Sequence, residues 1–319
     1  MASTLALRAL RTQYPHATID FLTLTNFADL LSTSNVLDQA RTFDRRTGPF
    51  GLIRLRRSIA AERYDVVVDL HASLRSRIIS FGTRSRRLSH SKPLLRRVRK
   101  SSMSLTPIPL RYLSVVAPLG AVDDGNGLEI PTKSVNLLPY SKGIGPVIVL
   151  APGAQHASKR WEPERFAEAL REVDPKPGAV VIVGGAEDGR AASTIVAWLS
   201  RDTEGLAISD YTGRTSWMQT ARIIADADIV IANDSVAGHI AAAVGTPVVS
   251  ILASTHPRFG FAPFRVPVRV IEPSIELACR PCTTTGTAVC KRGDFACLAA
   301  IKGVEVGSAA RELLDERSR

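Results

Sequence analysis

Residues 228–252 read DIVIANDSVAGHIAAAVGTPVVSIL, and this stretch decides the fold class. Its β-branched run ends at Asn233 and Asp234, an alanine-rich segment follows, and Gly245 and Pro247 separate that segment from a second β-branched run. The pattern predicts a buried strand, a helix and another buried strand. Strands joined through a helix lie parallel in one sheet, so the stretch predicts one unit of an α/β protein.

The same alternation begins near residue 146 and continues through the C-terminal half. Strands are predicted at VIVLAPG (147–153) and AVVIVGG (179–185), and each is followed by a segment with helical periodicity. Such a series predicts a doubly wound parallel sheet, in which strand carboxyl ends and helix N-termini meet along one edge. A diphosphate is the ligand that we expect at this edge.

The N-terminal half carries a weaker version of the pattern, with strands predicted at TIDFLTL (18–24) and DVVVDL (65–70). The chain opens on a helical segment, whereas a doubly wound domain opens on its central strand. We therefore expect the first strand and its loop to be missing. A segment rich in Gly, Pro, Asp and Asn at 120–145 predicts two domains, 1–140 and 141–319.

The charge balance predicts an anionic partner. The 319 residues have a formal net charge of +11, and eight of the 41 Lys and Arg residues lie at 83–102. Phosphorylated lipid, anionic membrane and nucleic acid fit this charge equally, as does a solvated basic surface. Nucleic-acid motifs of the RNP, zinc-finger or helix-turn-helix type do not occur in the sequence, so we expect no nucleic-acid partner.

Targeting signals and long apolar runs do not occur in the sequence either. The longest apolar stretches are shorter than the roughly 18 to 20 residues that span a bilayer. We therefore expect a soluble, cytoplasmic protein.

Two loops that follow predicted strands carry candidate phosphate-binding groups. Gly153 leaves room for a ligand near the backbone, and Lys159 and Arg160 bring cations to the same space. Asp234 and Ser235 precede a helix whose exposed N–H groups favour an anion. The alternatives are a pair of solvated cations and an ordinary N-cap.

Two further side chains complete this candidate site. His239 lies one turn into the helix, where it can donate to a phosphate or pack in the core. Glu187 follows the strand that ends in Gly184 and Gly185, where it can bind ribose hydroxyls or offset a helix dipole. The sequence lacks a strand-linked G-x-G-x-x-G and a Walker A motif, which disfavours nicotinamide enzymes and P-loop ATPases.

All four cysteines lie near the C-terminus, at Cys279, Cys282, Cys290 and Cys297. Four thiolates can close a tetrahedral zinc site, but the spacing of the second pair is not that of common zinc ribbons. We favour reduced thiols and expect no metal or other cofactor, with a structural zinc as the alternative.

Several of these motifs, taken in order, resemble glycosyltransferase family 9, which contains the ADP-heptose:lipopolysaccharide heptosyltransferases. They are YDVVVDLHASLRS (64–76), APGA through KRW (151–161), PERFA (163–167), NDS followed by HIAAAVGTPVVSI (233–251), and CRPC with two later cysteines. The resemblance implies a GT-B fold, in which two Rossmann-like domains face each other across a cleft. It also implies that the acceptor binds the N-terminal domain and the nucleotide sugar binds the C-terminal one.

The resemblance also implies roles for individual residues. Lys159 would bind donor phosphate, Glu187 would meet the ribose, and Thr215 would lie beside the base. The other donor-side residues that it implies are Ala154, Gln155, Asp234, Ser235 and His239. Together with Gly153, Arg160 and Val236 at the same two loops, they make up the predicted donor site. Arg75 is the candidate on the acceptor side, and the basic 83–102 region would meet the phosphates of a lipid-linked saccharide or the membrane face.

The activity that the resemblance implies is inverting transfer of a heptose, or a similar sugar, from an ADP-sugar to a lipopolysaccharide core or related glycan. This sequence departs from the family at Val236, where the family usually has Gly, so a β-branched side chain narrows the space beside the phosphates. The family's general-base Asp would lie upstream of Met1. The alternative is therefore a family member that binds nucleotide sugar and is catalytically impaired.

Overall fold

The computed structural model describes residues 1–91, 103–173, 176–202 and 205–318. These residues divide into two compact units. The first unit comprises residues 1–91 and 106–130, and the second comprises 103–105 and 131–318. The change at residue 131 falls inside the Gly- and Pro-rich segment 120–145. Most of the basic 83–102 run, from residue 92 onward, lies outside the described residues.

The first unit consists of short parallel strand pairs and helices. Its elements are α1 (Thr4–Gln13), β1 (Asp20–Leu24), β2 (Gln39–Phe43), α2 (Gly48–Ala61), β3 (Val66–Asp69), α3 (Leu74–Ile79), β4 (Arg86–Ser89) and α4 (Ile108–Val116). Strand β1 pairs in parallel with β2, and β3 pairs in parallel with β4. Both strands predicted from the sequence are present. Among the described residues of this unit, the two pairs remain separate sheets, because β1 and β3 have no common partner.

The second unit contains the remaining elements. They are β5 (Val147–Ala151), α5 (Pro163–Arg171), β6 (Ala179–Ile182), α6 (Gly189–Asp202), β7 (Ala207–Asp210), α7 (Trp217–Asp226), β8 (Ile229–Asn233), α8 (Val236–Val244), β9 (Val248–Ile251), β10 (Val268–Ile271), α9 (Ala296–Ala299) and α10 (Gly303–Ser318). Pro163 occupies the first turn of α5, where its missing N–H costs nothing. Gly245 ends α8 in a left-handed conformation, φ 84°, which glycine adopts without strain.

One parallel sheet organises the second unit. Its strand order is β10-β9-β8-β5-β6-β7. Every residue of β5, β6, β8 and β9 is buried, as expected for central parallel strands covered by helices on both faces. The sequence prediction of a doubly wound α/β sheet is confirmed. The chain moves outward in one direction from β5 to β7 and in the other from β8 to β10, so the topological switch lies between β5 and β8.

Helix α10 closes the second unit by packing against α5 and the strands β8 to β10. Two glycines of α10 permit this close approach. A Cβ added at Gly307 would lie 2.2 Å from the Ala169 carbonyl oxygen, and one added at Gly303 would lie 2.5 Å from the Glu168 Cβ. Atoms cannot approach so closely, so the helix pair requires glycine at both positions.

We predict that Gly307→Ala lowers the free energy of unfolding by about 1–3 kcal/mol, because the added methyl forces α10 away from α5. At an unconstrained helical position the same substitution stabilises by about 1 kcal/mol. Urea unfolding followed by tryptophan fluorescence measures the change. Ser308→Ala on the same helix serves as the control and should change stability by no more than about 0.5 kcal/mol. An unchanged or more stable Gly307→Ala variant would contradict the prediction.

Candidate functional site

The candidate site lies at the carboxyl ends of β5 and β8, on either side of the topological switch. Open α/β sheets bind ligands at this position, because the connections there leave in opposite directions and open a crevice. The loop after β5 runs from Pro152 to Arg160, and the loop after β8 begins at Asp234. Two of the predicted phosphate-binding loops are therefore neighbours in space.

A buried asparagine joins these two loops. Asn233 is fully buried at the end of β8, and its Nδ2 donates to the Pro152 carbonyl at 2.6 Å. Its Oδ1 accepts a bond from the Trp161 backbone N–H at 3.3 Å. The Trp161 side chain is buried and donates from Nε1 to the Ile301 carbonyl at 3.2 Å. One amide therefore holds both ends of the loop after β5, and the Ile301 carbonyl, just before α10, holds the Trp161 side chain.

The lysine of the first loop reaches the carboxylate of the second. Lys159 Nζ lies 2.7 Å from Asp234 Oδ2, and both side chains are 13% exposed. The Thr255 hydroxyl also donates to Asp234 Oδ2, at 2.5 Å. Gly286 covers the lysine stem, and a Cβ there would lie 3.0 Å from the Lys159 side chain. The cation is thus held between the loops that follow β5 and β8.

The Ser235 side chain does not cap the first N–H groups of α8. Ser235 occupies the N-cap position in extended conformation and makes no side-chain capping bond. The Asp234 carboxylate instead binds Lys159 and Thr255. The simple N-cap interpretation therefore does not apply to Ser235. The helix start, with Val236 as its first residue, presents donors and a positive dipole end to an anion.

A narrow crevice adjoins this helix start. Its lining residues are Asp234, Ser235, Gly238, His239, Ser250, Phe261 and Pro263. Burial lowers the pKa of His239, while the nearby Asp234 carboxylate acts in the opposite direction. The imidazole is therefore neutral at pH 7, with one N–H to donate and one lone pair to accept.

Arg160, the second cation of the loop after β5, stabilises that loop. Arg160 Nε donates to the Ala154 carbonyl at 2.8 Å, and its guanidinium lies 3.6 Å from Asp188. Asp188 also accepts a bond from the Gly185 N–H, and burial raises the pKa of its carboxyl. A Cβ at Gly153 would lie 2.1 Å from the Asp188 carboxylate. A side chain at position 153 would therefore clash with Asp188. Packing is thus a reason for glycine at this position, in addition to the predicted approach of a ligand.

The remaining predicted donor-side residues line the same edge of the sheet. Ala154 is buried, whereas Gln155 and Glu187 are exposed on the loops after β5 and β6. Thr215 lies in the loop after β7 and shares a hydrogen bond of 2.8 Å with Thr220. That loop contacts the β6 loop, because the Gly213 N–H donates to the Gly184 carbonyl at 2.9 Å.

The acceptor-side candidate Arg75 lies in the first unit, at the second position of α3. Asp69 shapes the connection before it, because its carboxylate accepts bonds from the backbone N–H groups of His71 and Ala72 and from the Ser76 hydroxyl. Ser73 then caps α3. The Arg75 guanidinium is exposed and lies 5.9 Å from the centre of the Phe43 ring.

The cysteine-containing segment packs against the lysine loop. Ser158 Oγ contacts Ser254 Oγ at 2.9 Å and accepts a bond from the Thr287 N–H at 2.8 Å. This connection fixes the segment that covers Lys159. The sequence did not single out Ser158 or Thr287, since a loop hydroxyl and a backbone N–H carry no local signal and only the fold brings these two together.

All four cysteines are free thiols. Burial raises the pKa of Cys297 to about 11 and also raises that of Cys282. At Cys290 burial acts upward, but backbone N–H groups at 292–295 outweigh it and lower the pKa of that thiol. Within the described ranges, no three His, Cys, Asp or Glu side chains are grouped to hold a metal ion.

Sequence reasoning missed three contributors to the site: Asn233, Thr255 and Asp188. Asn233 was noted only as the end of a strand, although a polar side chain closing a run as apolar as β8 is a usable signal. Thr255 follows β9 and is remote from Asp234 in sequence. Asp188 neighbours the predicted Glu187, and only its burial distinguishes the two.

This chain is similar to known glycosyltransferases. The family model of glycosyltransferase family 9 (heptosyltransferase) matches residues 52–289. Lipopolysaccharide heptosyltransferase 2 of Escherichia coli K12 is 26% identical over 281 residues, which is 81% of this chain and 80% of that protein.

Solved structures share the fold. The structure of E. coli ADP-heptose lps heptosyltransferase II superposes with a TM-score of 0.72 at 22% identity, covering 100% of this chain and 96% of that one. E. coli heptosyltransferase WaaC with ADP gives a TM-score of 0.69 at 15% identity, covering 98% and 95%. These likenesses confirm the predicted GT-B fold class.

We predict that Asn233→Ala lowers the free energy of unfolding by about 2–3 kcal/mol, because two hydrogen bonds are lost and their buried partners are left without a donor or acceptor. Urea unfolding followed by the fluorescence of the neighbouring Trp161 reports the change. Asn136→Ala, at an exposed position, is the control and should be neutral. Equal stability of the two variants would contradict a stabilising role for the Asn233 hydrogen bonds.

We also predict that His239 lowers the stability of the folded protein at acidic pH. Since the folded-state pKa of His239 lies below the unfolded value of about 6.5, the unfolded chain binds more protons as the pH falls. Stability should therefore fall as the pH drops below about 6.5. The decrease in Tm between pH 7.5 and pH 5.0 should be smaller for His239→Gln than for wild type, whereas the exposed-site control His16→Gln should match wild type. The same decrease in all three proteins would contradict this account.

Proposed function

Because this chain belongs to glycosyltransferase family 9, the heptosyltransferase family, we propose that it transfers a heptose from ADP-heptose to a lipopolysaccharide core. The observation that carries the proposal is the pairing of Lys159 with an uncapped helix start at the topological switch of the second unit. A cation and converging N–H groups there suit the diphosphate of a nucleotide sugar.

The donor would lie along the strand edge of the second unit. Its diphosphate would meet Lys159, Ser235 and the first N–H groups of α8, and the exposed Glu187 would receive the ribose hydroxyls. Thr215 would lie beside the base. Adenine is favoured because a solved relative of the same fold is described with ADP.

Binding the donor would exchange one partner of Lys159 for another. The ammonium group now neutralises Asp234, and a phosphate oxygen would take over part of that contact. Thr255 would hold the carboxylate in place during the exchange. Arg160, engaged by Ala154 and Asp188, would keep the loop after β5 in shape and leave the direct phosphate contact mainly to Lys159.

The reaction is direct displacement with inversion. An acceptor hydroxyl oxygen bonds to the anomeric carbon while the bond from that carbon to the diphosphate oxygen breaks, and the hydroxyl proton leaves to a base. Negative charge grows on the departing ADP. Lys159 and the α8 start stabilise that charge without a metal cofactor. Val236, which adds a branched side chain at the first turn, narrows the space beside the phosphates.

The acceptor would be a phosphorylated, lipid-linked saccharide that meets the first unit, with Arg75 among its contacts. Such an acceptor is anchored in a membrane, so we place the protein at the cytoplasmic face, in peripheral contact with anionic lipid and without a nucleic-acid partner. No helix of the described part of the chain is both long and apolar enough to cross a bilayer.

We predict that calorimetric titration gives selective binding of ADP over UDP, GDP and CDP, and that Lys159→Ala weakens ADP binding at least tenfold. A hydrogen bond to a charged group contributes about 1.5–3 kcal/mol, which corresponds to that loss. Lys142→Ala is the matched control, since Lys142 is paired with Asp226 at 2.6 Å in the same unit. Its affinity should equal that of wild type.

Release of ADP from ADP-heptose in the presence of heptose-deficient lipopolysaccharide tests transfer itself. Turnover that Lys159→Ala reduces and Lys142→Ala preserves supports the whole proposal. Selective ADP binding without turnover would restrict the function to nucleotide-sugar binding, the impaired alternative. A folded chain that binds none of the four nucleotides would overturn the site assignment.

A further inference from the structure

Two helices of the first unit expose apolar side chains at regular helical spacing. On α2, Phe50 is 85% exposed and Ile53 is 43% exposed. On α3 and the turn after it, Leu74 is 77% exposed and Phe81 is 65% exposed, with the partly exposed Ile78 between them. Large apolar groups that protrude this far into solvent lose favourable burial, so their concentration in one place needs an explanation.

Arginines continue both stripes. Phe50, Ile53, Arg54 and Arg57 stand at i, i+3, i+4 and i+7 on α2, and Leu74, Arg77, Ile78 and Phe81 repeat that spacing from α3 onward. Residues at this spacing share one helix face. The side chains of Arg54, Arg57 and Arg77 are exposed. Each helix therefore presents a face that mixes protruding apolar groups with cations.

The two stripes lie on neighbouring helices. Helix α2 packs against α3. Arg56 Nε donates to the Phe81 carbonyl at 2.9 Å, and its guanidinium lies 5.3 Å from the centre of the Phe81 ring. This contact ties the end of the α3 stripe to α2. We name the eight side chains of the two stripes the α2–α3 face.

The two segments that carry the α2–α3 face are rich in arginine. Segments 45–61 and 70–91 contain five arginines each, ten in all, and neither contains an Asp or a Glu. Arginine can extend its apolar stem along a surface while its guanidinium binds phosphate. An acidic protein partner would pair with the cations. It would also need a separate apolar pocket for each of the protruding apolar side chains.

We propose that the α2–α3 face docks the protein on an anionic lipid bilayer. Phe50, Ile53, Leu74, Ile78 and Phe81 insert at the level of the headgroups, and the arginines bind lipid phosphates around them. An interfacial surface requires this combination of apolar insertion and positive charge, and neither part alone gives stable attachment. A nucleic acid would use the cations but would bury little of this apolar area.

The inference rests on the proposed use of a membrane-anchored acceptor, but its test needs neither donor nor acceptor. The probes are sucrose-loaded vesicles of phosphatidylcholine alone and of phosphatidylcholine with phosphatidylglycerol. Wild type should sediment with the anionic vesicles and not with the neutral ones at moderate salt. ADP binding by the same proteins is measured separately, so failure of the donor site and failure of the lipid surface remain distinguishable.

Two pairs of variants separate charge from insertion. Arg54→Glu with Arg57→Glu should weaken vesicle binding at least about 25-fold, since each arginine near an anionic surface contributes about fivefold. Phe50→Ser with Leu74→Ser should weaken it about tenfold by removing inserted apolar area. The controls carry paired changes of the same kind at exposed sites elsewhere, namely Arg201→Glu with Arg311→Glu, and Val122→Ser with Ile144→Ser.

Loss of vesicle binding in both α2–α3 pairs, with both controls retained, supports the proposal. Circular dichroism and Tm establish that each variant is folded. Absence of wild-type binding to anionic vesicles overturns it, as does equal loss in variants and controls. Binding to an oligonucleotide duplex that is lost in the arginine pair, without any vesicle binding, would assign the face to nucleic acid and also overturn the proposal.

Discussion

The candidate site depends on one buried amide. Asn233 has no contact with solvent, so both of its polar ends must be satisfied within the protein, and the two hydrogen bonds that satisfy them join the loop after β5 to the end of β8. Everything that follows in the site uses this connection. The position of Lys159, the course of the chain into Trp161 and the separation of the two strand ends are set by partners that a buried amide cannot exchange for water.

On that scaffold, the charges are arranged as a set of exchangeable partners. Lys159 and Asp234 neutralise each other, Thr255 shares the carboxylate, and the start of α8 has no side-chain cap from Ser235. A pair that is only partly exposed and held by further hydrogen bonds keeps its geometry while one partner is replaced. Preorganised groups of this kind stabilise developing charge more effectively than mobile surface cations, because they need little rearrangement when the charge appears.

Much of this architecture could be predicted from the sequence. The β-branched runs that end in Asn, Asp or Gly predicted the parallel sheet and the edge where its loops meet, because strand burial and helix starts have strong local signals. The separate strand pairs of the first unit were not predicted, since pairing between strands depends on neighbours remote in sequence. The contacts of Thr255 and Asp188, and the bond from the Thr287 N–H to the Ser158 hydroxyl, were not predicted for the same reason. The apolar spacing on α2 and α3 is present in the sequence, but periodicity alone does not say which helix face packs against the core.

The contact between Trp161 and Ile301 has a consequence for the order in which the protein matures during synthesis. The indole that closes the loop after β5 is held by a carbonyl just before α10, and α10 itself packs through two glycines against α5. A ribosome that has completed β5 to β9 has made every strand that flanks the switch, yet the residues that seat Trp161 are still to be translated. The loop after β5 therefore gains the hydrogen bond that holds the Trp161 indole only after residue 301 has been translated.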